Sequence, residues 1–174
     1  DEILTTIIQS GNIASSNVVM PSANLILNNI STDTRTIQKG DFYIPLKGEN
    51  FDGEKFIPQA IENGAVAYCT TQEVVNYPNS FGIKVKDTKN VYLERATYRR
   101  QKINPKVILI TGSSGKTTTK ELVYSVISQK YKTFKTPLNH NNEIGFCQTV
   151  FEMPDDTEVL ILEAGMRGLG EIEL

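Results

Sequence analysis

The chain has 174 residues, enough for one large domain or two small ones. A hydrophobic content of 39% is that of a soluble globular protein, and a formal charge of −2 gives no electrostatic reason to expect nucleic acid or an anionic membrane as partner. Cys69 and Cys147 fit no metal spacing and read as small buried hydrophobes, reduced thiols of a cytoplasmic protein. No apolar run is long enough for membrane insertion, and residues 1–9 lack the basic start and long apolar core of a signal peptide.

In chain order, a short amphipathic helix is predicted at residues 2–9, ended by Ser10-Gly11-Asn12. An irregular, strand-rich stretch follows to about Leu46, with turns at Gln38-Lys39-Gly40-Asp41 and Lys47-Gly48-Glu49-Asn50. Residues 56–63 predict a helix closed by Gly64, and residues 65–69 and 82–85 predict buried strands. A second helix runs from Thr88 to about Gln101; its basic end, Arg99-Arg100, suits the helix dipole, and Asn104-Pro105 breaks it. The domain boundary is placed there. Residues 1–102 form a small mixed α/β domain and residues 103–174 a second one.

The second part alternates regularly: strand 107–111, helix 117–129, strand 132–135, helix 144–152 and strand 158–163. That β-α-β-α-β order predicts a parallel sheet with right-handed crossovers. Glu171-Ile172 reads as the start of another helix, so residues 103–174 are expected to be a truncated α/β domain whose thin sheet has an exposed edge. There is no internal repeat.

Most informative is Val107-Ile108-Leu109-Ile110-Thr111-Gly112-Ser113-Ser114-Gly115-Lys116-Thr117-Thr118-Thr119-Lys120. A buried parallel strand feeds a glycine-bounded loop, Gly112, Ser113, Ser114 and Gly115, and then a helix start at Lys116, Thr117 and Thr118. Glycines let the backbone bend tightly and present its N–H groups to an anion. The helix adds roughly half a positive charge at its first turn. Lys116 brings a full charge to the β and γ phosphates of ATP, and the Thr117 hydroxyl suits Mg²⁺. The spacing is a shortened form of the usual G-x-x-x-x-G-K-[ST], because Ile110 stands where the first glycine would be. The alternative is a plain surface turn capping a helix.

Glu163 ends an apolar strand, where ligand sites of open α/β sheets collect. It reads either as a second Mg²⁺ ligand opposite Thr117 or as a solvated charge. Thr136-Pro137-Leu138-Asn139-His140-Asn141-Asn142-Glu143 follows the middle strand to the same rim. Asn139 and Asn142 suit a polar ligand, although Asn142 reads equally well as a helix N-cap. His140, the only histidine, has no visible catalytic partners. In the first part, Ser31, Asp33, Thr34 and Arg35, with Lys47, Gly48 and Asp52, could line a second anionic pocket or serve ordinary turn chemistry.

These motifs resemble the Mur ligases of peptidoglycan synthesis. Ile110 to Lys120 looks like that family's ATP loop, which accounts for the shortened spacing. Asn139-His140-Asn141-Asn142-Glu143-Ile144-Gly145, Leu162-Glu163-Ala164-Gly165-Met166 and Gly170-Glu171-Ile172 resemble, in order, further motifs of its dipeptide-adding branch. Thr32-Asp33-Thr34-Arg35, Gly40-Asp41-Phe42 and Lys47-Gly48-Glu49-Asn50-Phe51-Asp52-Gly53 are similar to its UDP-binding domain, with Glu54 where the family often has His. The resemblance implies a monomeric, cytoplasmic, ATP- and Mg²⁺-dependent ligase acting on UDP-MurNAc-tripeptide and D-Ala-D-Ala. In that family a substrate carboxylate attacks the γ-phosphate, and the acyl phosphate then reacts with an amine to give an amide, ADP and phosphate. Lys116 and Glu163 would be catalytic, and residues 112–118 would hold the nucleotide. Ligases of this family also use a carbamylated lysine and a C-terminal domain, neither found before Leu174, so the chain alone is expected to be inactive. Alternatives are the ligase adding the third amino acid, a non-catalytic UDP-sugar-peptide binding module, and a P-loop switch protein.

Overall fold

The computed structural model describes residues 27–48, 50–137 and 140–165. The helix expected at residues 2–9, Glu49, Asn139 and the segment from Met166 onward lie outside the described residues. The chain divides into two compact units, Asp1–Arg95 and Ala96–Leu174.

The first unit is built on a four-stranded, wholly parallel sheet: β1 (Ile30–Ser31), β2 (Phe42–Tyr43), β3 (Ala67–Thr70) and β4 (Phe81–Lys84), in that spatial order. Residues pair in register, Phe42 with Ala67 and Tyr68 with Gly82. Among the described residues 27–46, strand is confined to the two-residue β1 and β2. Ser31 and Asp33 turn the chain immediately after β1, since the Ser31 hydroxyl accepts the Asp33 N–H (3.3 Å) and the Asp33 carboxylate accepts that of Arg35 (2.9 Å). Such side-chain bonds compete with a ladder. After β2, Asp52 caps a 3-10 turn (Gly53–Phe56) that runs into α1 (Ile57–Glu62), so the helix expected at residues 56–63 forms with a 3-10 turn before it. Ile37, Tyr43, Ile57, Ala60, Ala65 and Tyr68 form a core under the sheet. The Tyr43 hydroxyl donates to the Gly53 carbonyl (3.0 Å), and burial pushes its pKa up to about 12.

The helix α2 (Thr88–Ile103) ends at Asn104, which adopts φ +52° and donates its N–H to the Arg100 carbonyl (2.7 Å) before Pro105. In the second unit β5 (Lys106–Ile110), α3 (Lys116–Ile127), β6 (Thr133–Lys135), α4 (Glu143–Glu152) and β7 (Val159–Glu163) give a parallel sheet of order β5-β7-β6. The central strand β7 buries Val159, Leu160 and Ile161. Its register sets Glu163 directly opposite Ile110.

β5 departs from the buried strand expected of its four apolar residues. Val107 and Leu109 are 41% and 42% exposed, while Ile108 and Ile110 are half-buried. Among the described residues β5 is an edge strand, and α3 packs on the sheet. The period-two alternation then leaves one side of β5 open. Arg99 also differs from expectation. It serves the C-terminus of α4, donating to the Val150 and Met153 carbonyls (3.0 and 2.7 Å) and pairing with Asp155 (2.9 Å). That satisfies carbonyls a helix end leaves unpaired.

Candidate functional site

The loop from Thr111 to Gly115 joins β5 to α3 at the carboxyl end of the sheet. Gly112 has φ +148° and Gly115 φ +73°, backbone states that side-chain-bearing residues resist. A Cβ on Gly115 would meet nothing within 4 Å, so conformation rather than crowding requires glycine there. Ser113, Ser114 and Gly115 are exposed. Among the described residues, the N–H groups of residues 113–118 donate to no acceptor in the chain; the first to close a helical bond is that of Thr119, to the Gly115 carbonyl (2.9 Å). A helix start leaves such donors free. Here the left-handed Gly115 stands at the helix start, in an exposed turn. The Lys116 ammonium folds back to the Gly112 carbonyl (2.8 Å), which holds its charge over the loop.

Beneath the loop, the Thr117 hydroxyl donates to Glu163 Oε1 (3.0 Å). Glu163 is buried, 8% exposed, which excludes the solvated-charge reading. Its other oxygen, Oε2, pairs with the Lys120 ammonium (3.0 Å). That ammonium also donates to the Thr136 carbonyl (3.0 Å). The Thr136 hydroxyl accepts the Glu163 N–H (3.1 Å) and donates to the Ile161 carbonyl (3.2 Å). Sequence reasoning missed Lys120 and Thr136. The available signal was a charged residue three positions after Thr117, hence on the same helix face as a residue aimed at the sheet. Thr117 Oγ1 and Glu163 Oε1 are hard oxygen donors at one point of the rim, a set suited to a Mg²⁺ that keeps several waters. No group of three or more His, Cys, Asp or Glu stands together elsewhere among the described residues.

The segment after β6 reaches the same rim. The Gly165 N–H donates to the Asn141 carbonyl (2.9 Å). Asn142 caps α4, its side-chain oxygen accepting the Gly145 N–H (2.8 Å), so only its amide nitrogen remains for a ligand. Gly145 packs so closely that a Cβ there would lie 2.5 Å from His140 Cα. The His140 Nδ1 is buried without a partner among the described residues.

In the first unit the expected residues also gather at the carboxyl ends of strands, and there they bond to one another. Arg35 grips both carboxylate oxygens of Asp33 through Nε (2.9 and 3.1 Å), and that contact holds the Asp33 carboxyl below its ordinary value. The Ser31 hydroxyl donates to the Asp33 carbonyl (3.0 Å), and buried Thr34 meets Gln59 (3.4 Å). The backbones of Lys47 and Asp52 form an antiparallel β-bridge, the Gly48 N–H donates to the Phe51 carbonyl (2.8 Å), and the Asp52 carboxylate accepts the Glu54 N–H (3.1 Å). Glu54 in turn accepts the backbone N–H (2.6 Å) and hydroxyl (2.9 Å) of Thr71.

Comparison with known proteins decides the family. Residues 110–174 match the Mur ligase middle domain, and residues 27–107 match the Mur ligase family catalytic domain. The chain belongs to the Mur ligase family. It is 41% identical over 150 residues to the UDP-N-acetylmuramoyl-tripeptide–D-alanyl-D-alanine ligase of Bacillus subtilis, covering 86% of this chain and 33% of that one. To the ligase of the same name from Synechocystis it is 44% identical over 154 residues, covering 88% and 34%. Among solved structures, a MurF from Acinetobacter baumannii superposes with a TM-score of 0.84 at 30% identity, covering 97% of this chain and 36% of that one. A MurF ligase from Thermotoga maritima in complex with ADP gives a TM-score of 0.70 at 32% identity, covering 81% and 33%. The chain spans about a third of the length of the curated relatives it matches. No helix among the described residues is long and apolar enough to cross a membrane.

Proposed function

We propose that this chain is the nucleotide- and substrate-binding part of an ATP-dependent ligase that joins D-Ala-D-Ala to UDP-MurNAc-tripeptide. Residues 103–174 would bind ATP, and residues 1–102 the UDP moiety. The observation that carries the first assignment is the set of unpaired N–H donors at residues 113–118 beside the Lys116 ammonium. Those donors suit phosphate oxygens, and Lys116 would exchange the Gly112 carbonyl for the β and γ phosphates. Thr117 and Glu163 would hold Mg²⁺, whose charge would stabilise the phosphoryl group during transfer. The chain's own contribution is to position the triphosphate and supply preorganised donors where negative charge develops. Lys116 and Glu163 would thereby act as the catalytic residues visible here.

The relatives named above add D-Ala-D-Ala, which supports that reaction over addition of the third residue. Asn139 and Asn142 would contact substrate, as would Ser31, Asp33, Thr34, Arg35, Lys47, Gly48 and Asp52 in the first unit. We propose a cytoplasmic monomer that engages no nucleic acid. Calorimetry with UDP and with Mg-ADP on the intact protein tests the two-site reading. Lys116→Ala should weaken Mg-ADP by at least about tenfold, the worth of one charge-assisted hydrogen bond, and leave UDP binding unchanged. Loss of both, or of neither, overturns it.

A further inference from the structure

Lys120 is the least expected residue in the second unit. It is 1% exposed and lies in the second turn of α3, near the positive end of the helix dipole, where a cation is disfavoured. Burying an ammonium there is costly unless its hydrogen bonds are met. They are met by groups of the candidate site: Glu163 Oε2 (3.0 Å) and the Thr136 carbonyl (3.0 Å). A local choice that conflicts with helix electrostatics and is rescued only at a site is characteristic of functional positions.

The geometry has two consequences. Lys120 on Oε2 and Thr117 on Oε1 hold the Glu163 carboxylate from both sides, so it has one orientation before any ligand arrives. The ammonium also offsets the buried negative charge of Glu163 beneath the phosphate loop. Without it, an entering polyphosphate would meet an uncompensated carboxylate and depend on a divalent cation to screen it.

We propose that Lys120 is a positioning residue of the nucleotide site, fixing Glu163 and offsetting its charge so that nucleotide phosphates enter the loop with little help from the metal. This rests on the reading that the loop binds nucleotide phosphates. The test measures ADP affinity of the intact protein by calorimetry, once in EDTA and once in excess Mg²⁺, with thermal melting as a check on folding. In Lys120→Met, metal-free ADP should weaken about tenfold, the scale of one charge acting across several ångströms of protein, while Mg-ADP weakens far less. Equal weakening in both conditions, or none, means a merely structural lysine and overturns the proposal.

Because Lys120→Met strands a buried carboxylate, a second comparison avoids that problem. Glu163→Gln and the double variant Lys120→Met/Glu163→Gln differ only at position 120. With no carboxylate left to offset, the two should bind metal-free ADP with closely similar affinity. A difference of about tenfold between them means that Lys120 acts on the phosphates directly and overturns the proposal. If the parent protein binds no ADP, or Lys116→Ala binds it as well as the parent does, the nucleotide reading itself falls and the role of Lys120 with it. An intact Lys116 effect with a failed Lys120 test removes only the latter.

Discussion

The two units present polar residues at the carboxyl ends of parallel strands in opposite ways. In the first, most of the expected polar side chains bond within their own turns: Arg35 to Asp33, Ser31 to the Asp33 carbonyl, Asp52 to the Glu54 N–H. In the second, six successive backbone donors are left open above a carboxylate that is tied down from below. Self-satisfied turns need no ligand to be stable. A row of free donors around a left-handed glycine at a helix start suits an anion. Charge and hydroxyl content alone do not separate the two, since both rims carry Ser, Thr, Lys and a carboxylate.

The sharpest way to break that contrast is to cut the tie beneath the loop. Lys120→Met removes one partner of a buried ion pair and should lower stability by about 3–5 kcal/mol, read as a shift in urea denaturation. The double variant Lys120→Met/Glu163→Gln should recover part of that loss, because no charge is then stranded. A single-variant cost below about 1 kcal/mol, the range of exposed pairs, would mean that the pair is solvated.

That buried tie also marks the limit of what the sequence discloses. The β-α-β-α-β order, the glycine loop and Glu163 at a strand end were legible because each follows from period, turn chemistry or position along one element. Lys120 and Thr136 were not, because their roles arise only when α3, β6 and β7 meet. The exposure of Val107 and Leu109 was hidden for a related reason. An apolar run looks the same whether one or both faces of its strand are covered. Arg99 satisfies the end of a helix fifty residues away, which no local dipole argument foresees. In the described part of the first unit, the hydroxyl and carboxylate bonds of Ser31 and Asp33 turn the chain right after β1, which composition alone does not disclose.

Asn142 sharpens the comparison at an intermediate scale, because its side chain caps a helix as well as standing at the rim. As an N-cap it accepts the Gly145 N–H at 2.8 Å. Asn142→Ala should therefore cost about 1 kcal/mol of stability, with Asn142→Asp restoring most of it. If substrate contact through the amide nitrogen is its second role, Asn142→Asp will recover stability without recovering substrate affinity. Recovery of both would leave only the cap.

The smallest effect lies in the first unit, where the Asp33–Arg35 pair can be titrated directly. Hydrogen bonding to Arg35 is the main cause that holds the Asp33 carboxyl below its ordinary value of 3.8. Because the folded-state pKa is the lower one, the pair adds stability above the unfolded-state value, and that contribution disappears as pH falls through the folded-state value. Arg35 is 85% exposed in its side chain, so solvent and salt screen the interaction and the gain in stability is slight. Carboxyl chemical shifts followed by NMR should show Asp33 titrating below pH 3.8, and Arg35→Ala should return it toward that value with little change in melting temperature. Adding UDP to the parent protein then distinguishes a closed turn from a binding loop. If the pair opens to engage a diphosphate, Arg35 leaves Asp33 and the carboxyl midpoint rises on binding; if it stays closed, the midpoint holds and the anion is bound elsewhere in that unit.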